Sequence, residues 1–170
     1  MDGSELRAVQ APLKQRYRDD ASAGLVTLRA NGSLSDGVAC SVSTGRGLAE
    51  AGLHPATGGD GTLLCSGDML LQALAACAGV TLKAVATSMG LTIDEGTVHV
   101  EGDLDFRGTL GVDKQAPVGF TSIRLRFDLA TEASDDELDT LLRLTERYCV
   151  VYQTLAHSPT LASAWQRGGM

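Results

Sequence analysis

A chain of 170 residues is long enough to bury a core of its own, and it reads as one domain. Its net charge of −7 and pI near 4.8, with no basic stripe, argue on electrostatic grounds against nucleic acid and against anionic membrane surfaces as partners. Aromatic residues make up only 4%, so the core must come mainly from Leu, Val and Ala, and 20 glycines favour a turn-rich, strand-containing fold.

Residues 1–11 show no hydrophobic period and read as a loose tail. They lack the apolar stretch of a signal peptide, which predicts a cytosolic protein. Alternation over 13–18 suggests a strand, followed by a turn over 19–24 and a strand over 25–30. Asn31-Gly32 is a two-residue turn signal, with 33–37 allowing a longer connection, and 38–43 alternates again. Together these segments form an antiparallel meander. Cys40 lies on it and reads as a small buried hydrophobe. A glycine-rich connection over 45–67 follows, carrying His54-Pro55 and Gly58-Gly59-Asp60-Gly61. That loop lacks the Lys and the strand-to-helix setting of a phosphate loop.

Residues 66–90 organise the chain. Leu, Ala and Met dominate, Asp68 suits a first helical turn, and Gly90 suits a left-handed cap. A helix apolar almost all round has no solvent face and needs cover on every side. Gln72 and Lys83 interrupt the run and argue against a membrane span. In a chain this short, part of that cover is expected from a second copy, which predicts a homodimer.

Alternation over 97–102 gives another strand, with His99 as an exposed ladder residue. Residues 120–129 form a half-buried strand, with Ile123, Leu125, Phe127 and Leu129 inward and Ser122, Arg124, Arg126 and Asp128 outward. Ser134 to Glu137 is a capping box that opens a helix. A second short helix after Cys149 and a last strand over 160–165 complete the chain. The order predicts an α+β fold: antiparallel sheet around a long buried central helix.

Cysteines at 40, 65, 77 and 149 form no CxxC, and His54, His99 and His157 are scattered, so neither metal nor cofactor is expected. Cys77, mid-helix, is by itself an ordinary core residue. Cys149 stands at a helix–helix junction, where unpaired N–H groups stabilise a thiolate. Whether the two meet is left open by the residues alone.

The run GGDGTLLCSGDMLLQALAACAGVTLKAVA, with CVVYQTL downstream, resembles the OsmC/Ohr family of thiol peroxidases. Members carry a GG-D-x-G loop, an A-x-x-A-C helix and a later C-P-V-x-x-T-L motif. The resemblance implies an intertwined homodimer that reduces organic, lipid-like hydroperoxides. Cys77 would be the peroxidatic thiol and Cys149 the resolving one, with an external dithiol as reductant. It also implies an arginine over the Cys77 sulfur, held by an acid at the start of the helix. That acid falls on Asp68, which equally reads as a plain helix-start acid. Arg46 and Arg18 are the candidate arginines, and Arg16 and Arg29 read as strand-face charges. Ser66 replaces the Pro of the family's P-x-E-L-L, and Val150 replaces the Pro of the second motif. Cys65, outside the pattern, reads as packing.

Two other readings remain. A dimer of this fold with weak or no peroxidase chemistry would hold a small hydrophobic ligand, or act as a scaffold. A hydrolase using Cys77 with His54 or His157 has no triad spacing or nucleophile elbow behind it.

Overall fold

The computed structural model describes residues 3–35, 39–42 and 51–167. In chain order the elements are α1 (Gly3–Asp19), β1 (Leu25–Ser35), β2 (Ala39–Val42), β3 (Ala51–Gly52), β4 (Leu64–Cys65), α2 (Ser66–Met89), β5 (Glu95–Asp105), α3 (Phe106–Thr109), β6 (Phe120–Ala130), α4 (Asp135–Tyr148) and α5 (Val150–Ala156). β2, β1, β5 and β6 form one antiparallel sheet in that order, and β3 and β4 make a separate two-residue parallel bridge. This is the α+β architecture read from the sequence.

α2 is the helix expected over 66–90, closed by Gly90 at φ 71. Its length and composition would allow it to cross a membrane. In this fold it is instead the element on which the sheet, α4 and α5 pack. Leu71, Leu74, Ala75, Ala78, Leu82, Val85 and Ala86 recur at helical spacing and are buried. The upper group meets Val98 and Val100 of β5 and Cys149, and the lower group meets Ile93 and Leu141. Burying one such leucine contributes roughly 2–3 kcal/mol. On the opposite side Leu70, Ala73, Val80 and Ala84 form an apolar stripe left exposed in the single chain.

β6 alternates as expected, with Ile123, Leu125, Phe127 and Leu129 inward and the charged residues outward. Across that outer face His99 pairs with Asp128 at 3.0 Å. The capping box at Ser134 is present in full, with side chain and backbone of Ser134 and Glu137 bonded reciprocally.

Three expectations fail. From Gly3 on, the segment expected as a loose tail over 1–11 and the strand expected over 13–18 are one helix, α1, with Pro12 inside it. Proline reads as a breaker because it removes one backbone N–H. Yet Leu13 and Tyr17, one turn apart, dock the helix on Phe106 and Leu110, and the Tyr17 hydroxyl donates to the Ala56 carbonyl at 2.6 Å. Arg16 is therefore an exposed helix charge, not one on a strand face. The Asn31-Gly32 turn also fails. β1 stays paired to β5 through Asn31↔His99 and Gly32↔Val98, and it goes on to pair with β2 as far as Ser35↔Ala39, so the strand does not reverse at Asn31-Gly32. A full ladder on the neighbouring strand outweighs a local turn preference. Finally, 160–165 makes no strand: Leu161 is 87% and Trp165 82% exposed, and no sheet edge meets them in this single chain.

Candidate functional site

Cys149 is the residue at which α4 stops and α5 begins. Its backbone is extended (φ −72, ψ 109), its N–H closes α4 on the Thr145 carbonyl at 2.9 Å, and its carbonyl accepts the Gln153 N–H at 2.9 Å. The break arises because an extended residue cannot continue the helix, so the first N–H groups of α5 have no carbonyl behind them. They point back toward the core, where Cys149 is fully buried against α2.

Those donors meet Cys77. Burial acts first and pushes its thiol up. The N–H of Val151, the Cys149 thiol, the N–H of Val150 and the Thr81 hydroxyl together outweigh it, and they hold Cys77 below the ordinary thiol range. Cys149 goes the other way. Burial dominates, the Tyr152 N–H on its sulfur at 3.5 Å opposes, and the neighbouring Cys77 adds to the rise, which reaches about 11. Hydrogen-bond donors thus favour the thiolate of one sulfur of the pair, while burial favours the protonated form of its neighbour. The fold brings together two thiols from distant parts of the chain, and both are free.

Two contributors escaped the sequence reading. Thr81 lies one helical turn beyond Cys77, a spacing that could have flagged it. The N–H of Val150 exists only because this position is not the proline usual in the resembled motif. That difference yields a test. Val150 is at the first position of α5, where proline fits, and the extended Cys149 ahead of it is in the conformation a pre-proline residue requires. Val150→Pro should therefore fold and remove a single donor. The pH midpoint of Cys77 alkylation is expected to move upward in the variant relative to the wild type. An unmoved midpoint would mean that this N–H does not act on the sulfur.

The supporting residues are placed less completely. Asp68 is half-buried in the first turn of α2. Burial raises its carboxyl, and among the described residues His54 opposes that rise. Among the described residues no arginine pairs with it. Arg18 sits in the last turn of α1, exposed and bonded to Gln15 at 3.5 Å. Arg46 lies outside the described residues, as does the side chain of Arg29. His54 stacks on Phe106 with centroids 4.9 Å apart, and its Nδ1 accepts the Ala56 N–H at 3.0 Å. His157 is exposed beyond α5. Neither histidine bonds Cys77, which removes the geometric basis for a cysteine hydrolase. Cys65 packs against the cluster that holds both other thiols. Among the described residues no group of three or more His, Cys, Asp or Glu could hold a metal ion.

The GGDG loop is a packed turn. His54 caps the turn Pro55–Thr57, Gly58 follows at φ 98, and the Gly59 N–H returns to the His54 carbonyl at 3.1 Å.

Residues 59–163 match the family model for OsmC-like protein. Among solved structures, the fold is similar to an OsmC-like hydroperoxide resistance protein from Jannaschia sp. CCS1. The TM-score is 0.63 and the identity 16%, over 86% of this chain and 97% of that one. A search of curated proteins finds no match.

Proposed function

The chain belongs to the OsmC-like protein family, and from that premise we propose that it is a cytosolic, dithiol-dependent peroxidase acting on organic hydroperoxides. The observation that carries the reading is the contact between Cys77 and Cys149, with their ionisation driven apart. Cys77 as thiolate attacks the terminal oxygen of ROOH. The O–O bond breaks, the alcohol ROH leaves with the proton, and the sulfur is oxidised by two electrons to the sulfenic acid. Protonated Cys149 then condenses with it, releasing water and forming the disulfide. An external dithiol reduces that bond by two exchange steps and leaves as its own disulfide.

The cation that the resemblance calls for has a partial substitute in this chain, since the N–H groups of Val150 and Val151 supply positive dipole to the sulfur. The apolar walls around the pair suit a hydrophobic peroxide. A homodimer is part of the proposal. Leu70, Ala73, Val80 and Ala84 repeat along α2 at spacings of three and four residues, and Cys77 lies on the same line. Such a stripe is a seam for a second copy.

Intact-mass analysis after one equivalent of cumene hydroperoxide tests the redox pair. The expected product has lost two hydrogens. Cys149→Ser should instead give a product that has gained one oxygen and reacts with dimedone. A protein that loses peroxide-oxidisable thiols other than this pair would overturn the assignment.

A second reading is a dimer of this fold that binds a small hydrophobic ligand without turnover. The absence of an arginine partner for Asp68 among the described residues favours it. Saturable ligand binding by a folded dimer that leaves hydroperoxide unconsumed would decide for it.

A further inference from the structure

A groove of about 440 Å³ opens between β6, α4 and α5, with Leu74 of α2 in its wall. Its size is that of a small-molecule pocket. Leu74, Phe120, Ile123 and Leu155 give it apolar walls, and Tyr152 and Glu146 give it polar ones. Two of these residues tie it to the sulfurs. Leu74 is three positions ahead of Cys77 on α2, in the core cluster that holds both thiols. Tyr152 donates its N–H to the Cys149 sulfur.

Glu146 is the one charged residue among the described residues that line the groove. It is half-buried in the last turns of α4, and its carbonyl accepts the Gln153 amide at 2.8 Å, which fixes the backbone there. The Tyr152 hydroxyl sits beside its carboxylate, and burial together with that charge keeps the phenol protonated. Among the described side chains of the sheet, no cation lines the groove with it. Arg124, on β6, faces the outer side and is held by Asp103 and Glu101. A carboxylate against apolar walls repels another anion far more strongly than it would in bulk water.

We propose that the groove receives the organic part of the hydroperoxide, and that Glu146 selects for organic parts without negative charge. Alkyl, aryl and esterified lipid hydroperoxides are taken in preference to free hydroperoxy fatty acids. This inference rests on the peroxidase reading above.

The test compares a hydroperoxy fatty acid with its methyl ester, with dithiothreitol as reductant. The wild type should use the ester with kcat/KM about tenfold higher at low ionic strength. Glu146→Gln should bring the ratio to within about twofold. Half-molar salt should narrow it in the wild type alone, a readout that stands even if the variant folds poorly. Equal use of acid and ester by the wild type, or a ratio that neither Glu146→Gln nor salt changes, overturns the charge selection and leaves the peroxidase reading intact. Turnover of neither substrate, nor of cumene hydroperoxide, overturns both.

Discussion

Cys77→Ser is expected to lower kcat/KM for cumene hydroperoxide by at least ~10³-fold while leaving the thermal midpoint nearly unchanged. An alcohol at neutral pH offers almost no anion to attack the O–O bond, whereas a thiol ionises far more readily, and the donors around Cys77 favour its thiolate further. The side chain is only partly buried and the exchange is close to isosteric, so packing is little disturbed. Cys149→Ser should behave differently: one equivalent of peroxide is consumed rapidly, and steady-state turnover then falls because the thiol proposed to trap the sulfenic acid is gone. Single-turnover and steady-state assays on the two variants separate the roles. Retained activity in Cys77→Ser would remove this sulfur from the chemistry, whatever the family implies.

Gly59→Ala is expected to destabilise the fold by about 3 kcal/mol or more, lowering the thermal midpoint by roughly 6–12 °C. A Cβ at this position would lie 1.7 Å from the Leu53 carbonyl oxygen and 2.5 Å from its carbon. Both are backbone atoms, so relief requires the turn capped by His54 to move. Gly61→Ala is the control. It has a positive φ of 77 but faces only Pro55 at 3.6 Å, so its cost should stay near the ~1–2 kcal/mol of a left-handed residue. Differential scanning calorimetry on both variants distinguishes close approach from backbone conformation. Equal midpoints would remove close approach as the reason for the second glycine.

The parts of the fold legible in the sequence were those governed by local period. α2 announced itself through its Leu and Ala content and Gly90, β6 through strict alternation from Ile123 to Leu129, and α4 through the Ser134–Glu137 box. Where a distant partner decides, the local signal misled. Pro12 hid α1, whose stability comes from Tyr17 and Leu13 docking on α3. Asn31-Gly32 looked like a reversal until the ladder with β5 carried the strand through it. The thiol pair was legible as two residue types in two motifs. Its chemistry was less so, because the strongest donor to Cys77, the Val151 N–H, is a backbone group, which every residue except proline carries. Asp68 stood where the motif put it, but the described residues supply His54 beside it and no guanidinium.

The donors at the start of α5 have an electrochemical side. Hydrogen bonds to an anionic sulfur stabilise the dithiol form and do nothing for a bridged form in which neither sulfur is charged. On the proposed reading, the reduction potential of a Cys77–Cys149 bridge would be raised accordingly, so the donors that favour the Cys77 thiolate would also ease reduction of the oxidised protein by a dithiol.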